Sequence, residues 1–227
     1  VNNRKLNEKF YIETLGMKPL LEESAFISLG DQTATERLIL EESPSMRTRK
    51  VEGLKKLARL LIKVENPSEI EALLSQMKSL PRLLKGNRGY AFEIVSPEED
   101  VILVHAENDV RDLVPLETVP EFYSNTSIKY VSQFEVSMEL RLPEGTESLL
   151  DPEGVAQAIT FTKGQGADLA VENNVTWDLT MLKFLVRNFD LTSLRQKFEK
   201  TGYFVPKSEK FFLGKDTNNI ELWFEEA

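Results

Sequence analysis

The chain has 227 residues, 41% of them hydrophobic and none cysteine, with a formal net charge of −9. That apolar content supports an ordinary core and excludes a disordered chain, no apolar run reaches the ~18–20 residues of a membrane-crossing helix, and the missing thiols exclude disulfides, thiolate metal sites and cysteine nucleophiles. Residues 1–108 carry 16 Lys and Arg against 17 Asp and Glu, residues 109–227 carry 12 against 20, and the acidic second half argues against nucleic acid as a partner.

From the N-terminus, residues 2–15 place Leu6, Phe10 and Leu15 near one face of a helix, with Arg4, Lys5 and Glu8 outside it. Gly16 follows as a stop. Strands are expected at 18–22, 25–29 and 36–42, with Gly30-Asp31 as a turn. The cluster Arg47, Arg49, Lys50, Lys55 and Lys56, beside Gly53, reads as a solvated connector. A strand run at 57–65 leads into Asn66-Pro67-Ser68-Glu69, where Asn66 caps a helix, Pro67 takes its first position and Glu69 can reach back to the cap. Ile70, Leu73, Leu74 and Met77 continue the helix at i, i+3, i+4, i+7, to about 78. Strands at 82–85, 90–96 and 101–105 follow. The order is α-βββ, then β-α-βββ. The first unit lacks its opening strand, so Val1 is expected at the end of one that was trimmed or is unseen. No signal peptide is visible and Val1 is not a natural start, which leaves the compartment, cytoplasmic or exported, open.

Residues 106–125, polar and carrying Pro115 and Pro120, form the expected boundary between domains 1–108 and 109–227. Beyond it Val136, Met138, Leu140 and Leu142 alternate with Ser137, Glu139 and Arg141, a half-buried strand. Segments 159–162 and 167–171 read as a hairpin around Lys163-Gly164-Gln165-Gly166, which lacks the spacing of a phosphate loop. A strand at 177–186, a helix capped by Asp190 with Leu191, Leu194 and Phe198 on one face, a stop at Gly202 and strands at 203–205, 210–213 and 220–224 complete a third unit. Asp100-Val101-Ile102-Leu103 aligns beside Asn219-Ile220-Glu221-Leu222, an internal repeat. The expected class is α+β: paired βαβββ modules with helices on the convex face of a curved sheet, then a degenerate repeat.

The run Asn7-Glu8-Lys9-Phe10-Tyr11-Ile12-Glu13-Thr14-Leu15-Gly16-Met17, followed by three strands and a second unit, resembles the F-Y-x-x-x-L-G-[MF] signature of the vicinal-oxygen-chelate (glyoxalase/bleomycin-resistance/dioxygenase) superfamily. The resemblance covers residues 1–108 well and 176–226 weakly. The whole chain also resembles the CppA family of Gram-positive cocci, to which degradation of the third complement component is attributed. The superfamily resemblance implies a half-barrel around a divalent metal held by His or Glu from the first and last strands of each module. In this chain Ile39, Arg59 (or Ala58) and Ile102 stand at three of those positions, and in the third repeat Glu221 is matched with Met181. Two isoleucines and an arginine cannot hold a divalent ion. No metal and no cofactor are therefore expected, and a metal-dependent lyase or dioxygenase is disfavoured.

His105 is the single histidine of the chain. It is either a general base oriented by Asp109, or a partly exposed strand-end residue with no task. No Gly-x-Ser-x-Gly, His-Glu-x-x-His or Asp-[Thr/Ser]-Gly motif occurs, and no spacing singles out a serine–lysine dyad. Trp177, Trp223, Phe211 and Phe212 line a ligand cavity or, at period two on strands, pack a core. Arg59, aimed into the concave face, either pairs with Glu93 or Glu36 and plugs the cavity, or stays partly wet and takes an anion through its planar fork. Two functions follow. One is a metal-free binding protein whose concave face, with Arg59, Ile39, Ile102 and Glu93, takes a small anionic ligand or a partner segment. The other is the activity implied by the CppA resemblance, a proteinase acting on a host complement protein, for which His105 is the sole imidazole available to a triad.

Overall fold

The computed structural model describes residues 1–43, 48–118, 120–123 and 127–227, so Arg47 of the basic cluster lies outside the described residues. Two compact units form, Val1–Pro44 with Arg59–Met138, and Ser45–Ala58 with Glu139–Ala227. No described helix is long and apolar enough to cross a membrane.

In the first unit, α1 (Arg4–Lys9) opens at Asn3, whose side chain accepts from the Leu6 N–H. It continues as a π-helical turn over Phe10–Thr14. The wider i→i+5 turn changes which side chains face inward: Asn7, Tyr11 and Leu15 are buried at a spacing of four, while Leu6 is 54% exposed. The expected stripe through Leu6 is thereby corrected. β1 (Lys18–Glu23), β2 (Phe26–Gly30) and β3 (Glu36–Glu41) form an antiparallel sheet in that order. Val1 N–H donates to Glu41 O at 2.7 Å, and Ser43 N–H donates to Val1 O at 3.0 Å, so Val1 lies beside the end of β3 in parallel sense.

The second module is β4 (Leu57–Val64), α2 (Pro67–Gln76), β5 (Arg82–Gly86), β6 (Gly89–Val95) and β7 (Val101–His105). β4 runs parallel to β7, and the order is β4-β7-β6-β5. Beyond β5 lies β8 (Val114–Pro115), and beyond β4 lies the start of β9 (Phe134–Pro143). Asn66 caps α2 through the Ser68 N–H, and Ile70, Leu73 and Leu74 are buried as the periodicity requires. Glu69 does not close a capping box. Its carboxylate accepts from the N–H and the hydroxyl of Ser132 instead, a partner 63 residues away that no local pattern announces.

In the second unit, the Glu139–Pro143 part of β9 pairs with β10 (Ile159–Gly164), with the short α3 (Pro152–Val155) between them. The expected hairpin partner at 167–171 is not a strand; the chain turns there and buries Asp168 and Leu169. β11 (Met181–Val186), α4 (Leu191–Lys197), β12 (Tyr203–Phe204), β13 (Phe211–Lys215) and β14 (Glu221–Glu226) follow. Their order, β11-β14-β13-β12 with β11 parallel to β14, repeats that of β4-β7-β6-β5. Asp190 caps α4 by accepting from Thr192 and Ser193 N–H. Phe198, at the end of α4, packs on Phe212 and Phe224. Gly214 makes that contact possible: a Cβ there would sit 2.5 Å from Cδ1 of the fully buried Phe198 ring. Gly214→Ala is expected to cost about 1–3 kcal/mol by overpacking, read as a lower urea midpoint at unchanged slope.

The basic connector is not simply solvated. Both terminal nitrogens of Arg49 donate to Asp168, at 2.8 and 2.6 Å, and Glu52 N–H donates to the same carboxylate. Lys56 is 1% exposed, with its ammonium 2.6 Å from Val171 O. Burial pushes the Lys56 pKa down, against the pull of Asp178 and Glu172. The acceptors come from residues 168–178, more than 100 positions further along, so the cluster's composition gave no sign of them.

Candidate binding face of the second module

Alternation on a strand sends successive side chains to opposite faces. On one face of the β4-β7-β6-β5 sheet, Leu61, Leu84, Ala91 and Leu103 form a buried cluster, against which Val110 and Leu113 of the following connector pack. That leaves Leu60, Ile62, Phe92, Ile102 and Val104, all buried, for the face toward α2, which lies over β6 and β7. Arg59, Lys63, Glu93 and His105 share the connector-side face by the same alternation.

The sequence-derived candidates divide accordingly. Arg59, 29% exposed along its side chain, lies 4.0 Å from Glu93, and Arg82 reaches the same carboxylate at 2.9 Å. Glu93 is thus the partner, and Glu36 is not: it accepts from the Ser28 hydroxyl in the other sheet. Ile102 does not line this face. The register pairs Ile102 with Leu60, so it is fully buried toward α2, and Arg59 stands opposite Val101, one residue earlier; a one-residue offset exchanges faces. Ile39 belongs to the β1-β2-β3 sheet, 48% exposed, on the face opposite the buried Leu40.

His105 is buried rather than partly exposed, at 4%. Burial, then the Lys63 ammonium, hold its pKa down to about 4, with the Glu107 backbone pulling the other way and Arg59 adding to the depression. Its Nδ1 has no hydrogen-bond partner among the described residues. Asp109 does not orient it. That carboxylate is gripped by Nε and Nη2 of Arg111 and caps the 3-10 turn Val110–Asp112, and the Arg111 guanidinium holds its pKa down to about 2. His105 and Asp109 are thus not brought together as an imidazole–carboxylate pair.

The aromatic residues of the third module also separate. Phe212 is fully buried on the α4 side, whereas Phe211 stacks on Trp223, centroids 3.9 Å apart, on the other face with Phe204. Trp223 Nε1–H donates to Glu225, and Trp177 spends its backbone N–H on Arg49 O. Met181 and Glu221, matched by the repeat, are register partners in the parallel ladder. An open cleft of about 420 Å³ in the first unit is lined by Lys18, Gln32, Glu69, Ser127, Ile128, Lys129 and Tyr130; it was not expected from the sequence, because its walls come from four separate segments.

A divalent cation does not fit the positions that the fold family uses. Arg59 brings a cation there, Glu93 is already shared by two guanidiniums, and Ile39 and Ile102 have no donor atoms. Among the described residues, no group of three or more His, Cys, Asp or Glu side chains is placed to hold a metal.

Comparison with known families agrees with this architecture. The profile of the CppA N-terminal domain matches residues 1–116, and that of the CppA C-terminal domain matches residues 131–224. This chain belongs to the CppA family. The crystal structure of the cppA protein from Streptococcus pneumoniae TIGR4 is 64% identical and superposes with a TM-score of 0.97, covering 100% of this chain and 95% of that one. A provisionally assigned dioxygenase from Bacillus subtilis subsp. subtilis str. 168 is 11% identical, with a TM-score of 0.55 over 100% of this chain and 82% of that chain. At that identity the likeness is one of fold, and it marks the CppA-family chain as α+β with a glyoxalase-like architecture. No curated protein matches the chain.

Proposed function

We propose that this CppA-family chain is a metal-free binding protein that takes a multiply anionic group on the connector-side face of its second module. The observation that carries this reading is the convergence of two arginines, Arg59 and Arg82, on one carboxylate, Glu93, at 4.0 and 2.9 Å. Planar forks suit carboxylate or phosphate oxygens arriving from solvent, and the Arg82 side chain is 58% exposed. Arg59, half-buried near the same carboxylate, supplies the second guanidinium.

Calorimetric titration with citrate and with inorganic phosphate tests the reading. Saturable binding that weakens as salt rises, and that Arg59→Ala with Arg82→Ala removes while the free energy of unfolding in urea stays within about 1 kcal/mol of the parent, is the expected result. Equal heats from the parent and the double variant would overturn it. The complement-proteinase reading rests on the family resemblance, and the burial and isolation of His105 weigh against a triad built on it. Incubation with the third complement component, with and without His105→Ala, separates the two: cleavage lost in the variant would favour proteolysis.

A further inference from the structure

The cleft of the first unit shares no lining residue with the connector-side face. Its walls are Lys18 and Gln32 from the first module, Glu69 from α2, and the segment ahead of β9 that carries Ile128, Lys129 and Tyr130. A volume of about 420 Å³ falls in the lower part of the ~300–1,000 Å³ range of small-molecule sites, which suits a ligand of metabolite size.

Hydrogen bonds fix these walls before any ligand arrives. Val131 N–H donates to Gly16 O at 2.8 Å, and Gln32 N–H donates to Val131 O at 3.3 Å. Gln32 Nε2 donates to Tyr130 O at 2.8 Å, which leaves its Oε1 as an acceptor. The Ser127 hydroxyl donates to Gln76 Oε1, at the end of α2, at 2.8 Å. Lys18 and Lys129 bring two ammonium groups to the cleft. Among the described residues neither makes an ion pair. Lys129 lies over the Tyr130 ring, 5.0 Å from its centroid, a contact that orients the ammonium without neutralising it. Glu69 supplies the carboxylate of the cleft, held in place by the Ser132 N–H and hydroxyl.

We propose that this cleft is a binding site for a small phosphomonoester that carries hydroxyl groups. An ammonium is a compact charge with three rotatable donors, which suits the tetrahedral oxygens of a phosphate dianion; a planar carboxylate is matched better by the fork of an arginine. Lys18 and Lys129 take the phosphate. The Glu69 carboxylate and Gln32 Oε1 accept from the hydroxyls, and the half-buried Ile128 and Tyr130 side chains cover the carbon skeleton. Few apolar walls with a small number of fixed polar groups give such a site orientation and selectivity.

Titration of the full chain with glycerol 3-phosphate, followed by amide NMR, tests the proposal. Saturable shifts are expected at Gln32, Lys129 and Tyr130. Lys18→Ala and Lys129→Ala should each raise the dissociation constant by at least about tenfold, the worth of one charge-assisted bond, while Arg59→Ala with Arg82→Ala leaves it unchanged. Because neither lysine is ion-paired, both lysine variants should keep the melting temperature of the parent. Malate, with two planar carboxylates, and glycerol, with no charge, should bind at least about tenfold more weakly than the phosphate. Absent shifts, shifts centred on Arg82 and Glu93 instead, or an unchanged constant in both lysine variants would overturn the site. Malate or glycerol binding as tightly as the phosphomonoester would overturn the ligand class.

Discussion

Between pH 6.5 and about 4 the first unit is expected to lose about 3 kcal/mol of stability, and His105→Leu is expected to abolish that loss. The His105 pKa falls from 6.5 to about 4 on folding, chiefly through burial and then through Lys63. The folded chain thus binds this proton less readily than the unfolded chain. A group depressed in the folded state contributes stability that is fully present above its unfolded pKa and is lost as pH falls toward the folded one. At about 1.4 kcal/mol per pH unit of displacement, the window holds the stated loss. On this face Lys63 stands opposite His105, with Leu61 on β4 and Leu103 on β7 beside the pair, and leucine in place of His105 removes the titration. Urea unfolding from about pH 7 to about pH 4 reads the effect; parallel curves for parent and variant would show that His105 is not the group responsible.

Asp31→Ala is expected to cost about 3 kcal/mol, the cost of orphaning buried donors. The Asp31 side chain is fully buried and accepts from the N–H and hydroxyl of Thr33 and from the N–H of Phe134, with Arg37 at 3.6 Å. Burial alone would raise its pKa; the bonds from Thr33 and Phe134, with Arg37, outweigh it and the net direction is down. Asp31 therefore adds stability above its ordinary value of 3.8, and that stability is lost as pH falls through the lower folded value. This limb lies below the His105 window, so the two are separable in one titration. Phe134 is 103 residues from Asp31, and its bond ties the start of β9 to the turn after β2. In Asp31→Ala the amide of Phe134 should exchange faster than that of Ile102; equal rates would mean that the carboxylate does not hold this junction.

The candidate site was partly legible. The sequence offers Arg59 two carboxylates, Glu93 and Glu36, and only the sheet pairing separates them, with Glu93 4.0 Å from Arg59 and Glu36 on Ser28. Ile102 was placed on the wrong face because alignment by residue type leaves an offset of one undetermined, and only the hydrogen-bonded register resolves it. The second arginine on Glu93, Arg82, comes from an edge of the module that the metal-ligand pattern never mentions. His105 is buried on the face where Val110 and Leu113, from a segment that reads as a polar linker, pack against the Leu61–Leu103 cluster.

By itself the sequence determined what local periodicity and capping encode: the order of helices and strands in three modules, the Asn66 and Asp190 caps, and the apolar face of α2. These depend on residues within a few positions of one another, where propensity and spacing act directly. Tertiary structure alone decided which polar groups meet. Glu69 meets Ser132 instead of its own cap, Asp168 meets Arg49 in a cluster that composition marks as solvated, and Lys56 disappears into the second unit with a backbone carbonyl as its partner. A buried polar group must find a bond wherever the packed chain provides one, and such partners lie 60 to 120 positions away in these three cases.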